Sequence, residues 1–517
     1  MHTNIRGHTH SNELSSFIER GLMAEDKTIT GKAHKFSDYP FKLGIASGDP
    51  HPDGFVLWTR LAPDPLAEDG LGGMPNQRVP VQWEVAEDEH FIKTVKHGTV
   101  SALPELAHSI HIEVFGLKPA RYYWYRFKSG REISPTGRTK TVPFPHTNLD
   151  KMSFALASCQ AWYHGYFTAY QHMAKDDLDV VFFLGDYIYE YPINEKNLNR
   201  NVKLSSAHNA KTTSLSQYRL RYSLFKTDPD LQTIHALTPW IVTMDDHEVE
   251  NNYAGSHSQY NTSPADFLRQ RAAAYQAFYE HIPIRSTAIP NGPDMVLYRR
   301  FCYGNLAEFH VLDTRQYRNN YPANETERLN PFRTILGSAQ EQWLYRGLSK
   351  SSTVWNMLVQ QVVLAQIDRD PGPKVEYSFD QWDGFPACRD RLFSAYKAYG
   401  IINPVVLTGD IHRHAAADLK ADFNDIHSKT IGTELITTSI ASDGDGAKTD
   451  SLAHIWLANP HVKLYNAQRG YVRCTMTPKQ LQTDFQVLPF ITQPNAPIST
   501  FASFVIEAGC PGLQKNN

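Results

Sequence analysis

The chain has 517 residues, with 51 Lys and Arg against 54 Asp and Glu and a formal charge of -3. That balance excludes a protein that coats nucleic acid, which needs a basic surplus, and no apolar run reaches the ~18 to 20 residues of a membrane-spanning helix. Five cysteines at long spacings (Cys159, Cys302, Cys388, Cys474 and Cys510) exclude a disulfide scaffold and a C-x-x-C zinc site.

Residues 1–35 are polar and lack the apolar core of a secretory signal, so they read as an N-terminal extension. From 36 to 146 the pattern is β. Runs such as GFVLWTRLAP, VPVQWEVAE, SIHIEVFGL and ARYYWYRFKSG alternate between turn residues, with Val81, Trp83 and Val85 on one face. The spacing predicts an antiparallel, fibronectin-like β-sandwich. From 147 to 517 buried strands alternate with helices, which predicts an α/β catalytic domain. Its strands are the apolar runs MSFALAS, LDVVFFLG, PWIVTM, AEFHVLD, VWNMLVQQ, INPVVLTG and TELITTS. A helix over 264–281 is expected, capped by Ser263 with Pro264 at its first position. The stretch 462–488 reads as a β-hairpin.

Chemistry in layered α/β proteins gathers just past the carboxyl ends of the strands. Four strands here end in ligand-type residues. MSFALAS leads into Cys159, VVFFLG into Asp186 and Tyr189, PWIVTM into Asp245, Asp246, His247 and Glu248, and NPVVLTG into Asp410, His412 and His414. One aspartate after a strand is usually a helix cap, and one buried cysteine is usually packing. Four such coincidences at one sheet edge would repel one another unless a cation held them. Phenolate and thiolate together favour oxidised iron, while an oxygen-dominated neighbour site suits Ca²⁺ or Mg²⁺. Two cations sharing a carboxylate form a Lewis-acid clamp for a phosphoryl group and generate a hydroxide nucleophile.

The ordered series GIASGDP, SCQ, GDYIYE, DDHEVENN, LDTRQYR, QWDGFP and TGDIHRH resembles the alkaline phosphatase D (PhoD-like) family of calcineurin-like metallophosphoesterases. The resemblance implies a four-layer αββα core behind the sandwich. It also implies Fe³⁺ with one or two Ca²⁺, and hydrolysis of phosphate esters, diesters included. Against the superfamily pattern, Cys159 stands for the first Asp, Asp246 for the Asn of GNHE and Asp410 for the first His of GHxH. Cys159, Asp186, Tyr189 and His412 would then hold iron, and Asp186, Asp246 and Asp410 calcium. His247 matches the histidine that assists the leaving oxygen, and Glu248 is expected to orient it. Asn251, His414, Asp383 and Arg315 are further candidates for metal or substrate.

Two alternatives compete with this reading: a phospholipase D-like diesterase acting on lipid or teichoic-type substrates, and a non-catalytic binding protein with a decayed site. No nucleic-acid partner is expected. The resemblance implies a periplasmic or secreted enzyme, although no twin-arginine leader opens the chain.

Overall fold

The computed structural model describes residues 35–515. Apart from Lys35, the extension expected over 1–35 lies outside the described residues.

The strands that end in ligand-type residues are almost wholly apolar, as strands covered on both faces must be. Met152–Ala157 pairs in parallel with Val180–Phe183, and that strand in turn with Trp240–Val242. Because side chains alternate along a strand, Phe154, Leu156, Phe182 and Ile241 point to one side, and Ala155, Ala157, Val181 and Phe183 to the other. The first face meets a second sheet of seven strands, burying Phe309, Val311, Met357, Val405 and Leu407 between the two. The opposite face is covered by the helices Thr168–Met173, Leu215–Lys226, Pro229–Leu237 and Pro264–His281. The outer face of the seven-stranded sheet buries Leu358, Val406 and Ile436 under Gly337–Leu348 and Pro386–Ala398. The fold is a mixed α/β arrangement of several sheets.

Between the sheets the rings of Phe154, Phe182 and Phe309 form a cluster. Phe182 stacks on Phe309 with centroids 4.6 Å apart, and Phe154 meets each edge-on at 5.6 Å.

The helix Pro264–His281 has the expected bounds, and the Ser263 side chain accepts from the Asp266 backbone N–H. The 462–488 stretch divides between the sheets. Arg469–Met476 and Gln480–Leu488 form a hairpin in the ten-stranded sheet, whereas Val462–Asn466 pairs with His414–Lys420 in the seven-stranded one.

Residues 36–146 are β, as their alternation predicts, and their strands divide between two sheets. Val79–Ala86, Thr94–Ala102, Tyr122–Ser129, Glu132–Ile133 and Gly137–Lys140 form a five-stranded sheet. Ile45–His51, Gly54–Arg60 and Ser109–Val114 instead extend the ten-stranded sheet beyond Trp240–Val242, with which the first is parallel at Gly48. A β-carbon at Gly48 would collide with the Pro283 carbonyl, so this junction needs glycine. Ile45, Phe55, Leu57, Val81, Val85 and Tyr125 fill the space between the two groups of strands. All five cysteines are free thiols. Among the described residues no helix is long and apolar enough to cross a membrane.

Truncating Phe182 removes the ring shared by both sheets. Phe182→Ala is expected to cost about 3–5 kcal/mol of stability, measured by chemical denaturation.

Candidate metal centre

Four strands from the two sheets deliver their terminal loops to one place. Met152–Ala157 delivers Cys159, Val180–Phe183 delivers Asp186, Trp240–Val242 delivers Asp245 to His247, and Pro404–Thr408 delivers Asp410 and His412. The loops turn abruptly. Cys159, Asp186, Asp410 and His412 have φ of 58°, 60°, 66° and 56°, the left-handed region that non-glycine residues avoid. Each such residue costs on the order of 1–3 kcal/mol, and clusters of them mark sites where surrounding structure enforces the geometry. Gly185, at φ 109°, lets two loops touch, since a β-carbon there would lie 2.5 Å from the Asp245 backbone nitrogen.

Ligating atoms within 4.8 Å of one another form three groups: Cys159, Asp186 and His412; Asp186, Asp246 and His247; and Asp245, Asp246 and Asp410. Asp186 joins the first to the second and Asp246 the second to the third, so the groups make one continuous array. Tyr189 belongs to it as well. Its hydroxyl lies 3.0 Å from Asp186 Oδ2, 3.0 Å from His412 Nε2 and 2.6 Å from Ser442 Oγ. His412 Nδ1 lies 2.7 Å from Asp443 Oδ2, a contact that places the proton on Nδ1 and leaves Nε2 a lone pair for the cluster.

Burial sets the electrostatics. It pushes Asp186 and Asp245 well above the carboxylate range, and neighbouring acids add to the effect. Asp410 is pushed up to about 7 by burial and by Asp380. Burial likewise raises the Cys159 thiol and the Tyr189 phenol. Asp245 Oδ2 and Asp246 Oδ1 are buried with no hydrogen-bond donor. Buried carboxylate oxygens that lack a hydrogen-bond donor, beside thiol, phenol and imidazole, are the donor set of a metal site, and the residues present fit one.

His247 differs from the acids around it. Burial disfavours its charged form, but Asp246, Glu190 and Asp186 outweigh this and hold its pKa well above the ordinary histidine value. Its Nδ1 lies 2.8 Å from Glu190 Oε2.

The expectation for Glu248 is therefore corrected: Glu190 orients His247. The Glu248 carboxylate faces backbone instead, accepting from the N–H groups of Asp186 (3.1 Å), Tyr187 (2.5 Å) and Asp245 (2.9 Å). It ties two ligand-bearing loops together and has no oxygen to spare for an imidazole.

Three further candidates are also reassigned. His414 is buried with both nitrogens engaged, Nε2 with the Gln486 carbonyl and Nδ1 with the Thr438 N–H. Asp383 is buried against Arg389 at 2.7 Å and accepts from the Ile367 N–H. Arg315 is fully buried. It donates to Asp245 at 2.5 Å and to both oxygens of Asp380 at 2.6 and 3.1 Å, which leaves it a counter-ion within the array. Asn251 lies at the rim, where its backbone N–H donates to Glu190 Oε1 at 2.9 Å.

Sequence reasoning passed over Glu190, Asp380 and Asp443. Glu190 stood in plain view in GDYIYE, four residues after Asp186. Asp380 and Asp443 follow no ligand-type spacing and are joined to the cluster only by folding.

Residues 154–485 match the model of the PhoD-like phosphatase family, and residues 26–143 match that of its N-terminal domain. Alkaline phosphatase D of Bacillus subtilis (strain 168) is 52% identical over 490 residues, covering 93% of this chain and 83% of that protein. A solved structure described as the structure of PhoD superposes with a TM-score of 0.90 at 50% identity, covering 94% of each chain. Fold, site and kinship define a phosphoric ester hydrolase of the metal-dependent kind. The chain belongs to the PhoD-like phosphatase family.

The raised carboxyl pKa values carry a linkage consequence for the cation-free protein. Asp410 titrates near 7 when folded against 3.8 as its ordinary value, so across that window the folded state binds more protons than the unfolded. The contribution of Asp410 to the stability of the chelated protein should therefore fall as pH rises from about 4 through about 7, so the gap between metal-loaded and chelated protein should widen over that window. Cations bound to the carboxylates should abolish the fall. Thermal melts of chelated and metal-loaded protein at about pH 5 and about pH 8 check this.

Proposed function

We propose that the protein is an alkaline phosphatase with phosphodiesterase activity, using Fe³⁺ and Ca²⁺ at the array described above. The carrying observation is that three ligand groups share Asp186 and Asp246 and so form adjoining sites. The group containing Cys159, with Tyr189 beside it, has the thiol, phenol, carboxylate and imidazole donors suited to oxidised iron. Asp186, Asp246 and Asp410 offer oxygen alone, the preference of calcium. When bound, these ions would supply Lewis acidity toward a phosphoryl oxygen and toward water.

The chain's own residues supply the rest. Asp443 fixes the tautomer of His412, and Ser442 and Asp186 fix the Tyr189 hydroxyl. His247, with Nδ1 committed to Glu190, keeps Nε2 for donating a proton to the departing alcohol oxygen. An acid with a raised pKa stays protonated in alkaline solution, which suits activity there. Cations at Asp186 and Asp246 would offset those residues' share of the shift and leave Glu190 as the main support. A decayed, non-catalytic site would lack ligands, whereas every residue assigned to iron and calcium lies in the array.

We read the architecture as a four-layer αββα core over 147–517 behind a fibronectin-like sandwich over 36–146. Cores on both faces of each large sheet support the first part, and the apolar filling between the five-stranded sheet and Ile45–His51, Gly54–Arg60 and Ser109–Val114 supports the second. Family kinship supports a periplasmic or secreted location.

Metal content measured alongside turnover of p-nitrophenyl phosphate and bis-p-nitrophenyl phosphate tests the proposal. Iron and calcium should be present and both esters cleaved. Cys159→Ala should lower iron occupancy and turnover together, and unchanged iron in that variant would overturn the ligand assignment. Glu190→Gln should move the alkaline limb of the kcat–pH profile to lower pH, because loss of its charge lowers the His247 pKa and the acid deprotonates sooner. An unmoved limb would remove His247 from the proton-donor role.

A further inference from the structure

The loop that carries Cys159 runs on into a short turn, Trp162–His164, and this turn brings a further imidazole to the array. Of the four residues proposed to hold iron, Cys159, Asp186 and Tyr189 are buried, and only His412 is part-exposed, its side chain at 17%. Solvent therefore reaches that group beside His412, and His164 stands at the same place.

Asp443 holds the two rings together. Its backbone N–H donates to His164 Nδ1 at 3.0 Å, while its carboxylate lies 2.7 Å from His412 Nδ1. Arg469 closes the turn around them, donating to the carbonyls of His412 at 2.7 Å and Gly444 at 2.9 Å. The segment carrying His164 is fixed from its other side. Arg200 donates to the carbonyls of Trp162 and Gly165, and Asn199 donates from Nδ2 to the carbonyl of His164 at 3.1 Å. The imidazole is thus placed by backbone contacts on both sides.

These contacts also set its tautomer. A ring nitrogen that accepts a hydrogen bond carries no proton, so the proton of the neutral ring sits on Nε2. Burial pushes the pKa of His164 down to about 4, outweighing the Asp443 carboxylate, and the ring stays neutral in neutral and alkaline solution. His164 is only partly buried, and among the described residues its Nε2–H meets no acceptor. The opening beside His412 therefore has a fixed, neutral N–H donor with its hydrogen bond still to make.

Resting on the phosphoesterase reading above, we propose that His164 is a catalytic residue whose Nε2–H donates to a non-bridging phosphoryl oxygen of the substrate on the His412 side of the array. A donor already oriented toward an oxygen that gains charge in the transition state contributes without reorganising at the moment of reaction. His247 serves the departing alcohol oxygen, so the two imidazoles have separate tasks.

The test uses the metal-loaded enzyme, with p-nitrophenyl phosphate as substrate and inorganic phosphate as competing ligand. Two amide side chains separate the roles of the ring nitrogens. Asn can place an acceptor where Nδ1 stands but is too short to reach the Nε2 position, whereas Gln can place an N–H donor there. His164→Asn should lower kcat/KM about 10- to 100-fold, the worth of a hydrogen bond to a charged group, and should weaken inhibition by phosphate with iron content unchanged. His164→Gln should keep most of the activity. If His164 serves only to hold Asp443, the ranking inverts, because Asn keeps the contact with the Asp443 N–H and Gln loses it. That inverted ranking, equal activity in the two variants, or loss of iron from His164→Asn would overturn the proposal. Should His164→Asn fail to fold, His164→Gln decides alone: activity kept supports the donor role, and activity lost removes it. Metal-loaded wild-type enzyme that cleaves no phosphate ester would instead overturn the phosphoesterase reading.

Discussion

Anionic groups confined without enough positive charge form the constraint on which this molecule is built. Asp245, Asp246, Asp380 and Asp410 are gathered around the guanidinium of Arg315, with Arg318 behind it, and Asp186 adjoins Asp246 on the far side. Buried carboxylates in such an arrangement must take up protons or be matched by a cation, because neither water nor the surrounding apolar side chains can screen them. Arg315 settles the outer part of the problem and holds Asp380 ionised, well below its usual pKa. Around Asp186 and Asp246 no guanidinium suffices, and the sulfur, phenol and imidazole there complete a set of metal donors.

The two glutamates illustrate how a fold divides labour between chemically equal groups. Glu190 and Glu248 are both fully buried. One faces an imidazole and raises its affinity for a proton. The other accepts three backbone N–H groups and fixes where two ligand-bearing loops meet. Exchanging their tasks would need a different backbone, because the three N–H groups converge on the Glu248 carboxylate and nowhere else. The left-handed residues Cys159, Asp186, Asp410 and His412 belong to the same arrangement, since local conformational cost at each is sustained by the convergence of the whole.

Much of the architecture was legible in sequence because apolar strands buried on both faces leave continuous runs such as VVFFLG and NPVVLTG, and because each run ends in a polar residue with donor chemistry. The capped helix at 264–281 was legible for a local reason, Ser-Pro followed by an apolar face. Partnerships across the chain were less accessible. Glu190 and Glu248 are both acids near His247 in sequence or space, and only the loop geometry decides which reaches it. His414 follows His412 by two residues, as in a metal motif, yet strand alternation sends its ring into the protein, where it stacks edge-on against Phe485. Arg315 could be paired with nearby Asp313 on sequence grounds. In the fold Asp313 accepts backbone N–H groups, and the guanidinium reaches Asp245 and Asp380 from other segments. The division of residues 36–146 between two sheets leaves no composition signal, since a strand looks alike whichever neighbour it finds.

That division has a consequence for how the site is protected. The strands carrying Cys159 and Asp186 sit in the middle of the ten-stranded sheet, flanked by Arg469–Met476 on one side and, beyond Trp240–Val242, by Ile45–His51 on the other. Local opening of a sheet begins at its edges, where the fewest bonds must break. Here both edges are supplied by segments remote from the ligands, so fraying at Cys510–Lys515 or Ser109–Val114 has several strands to cross before it reaches them. The amides of Met152–Ala157 and Val180–Phe183 are therefore expected among the slowest to exchange, and the loops bearing Cys159 and Asp186 are rooted in the middle of the sheet.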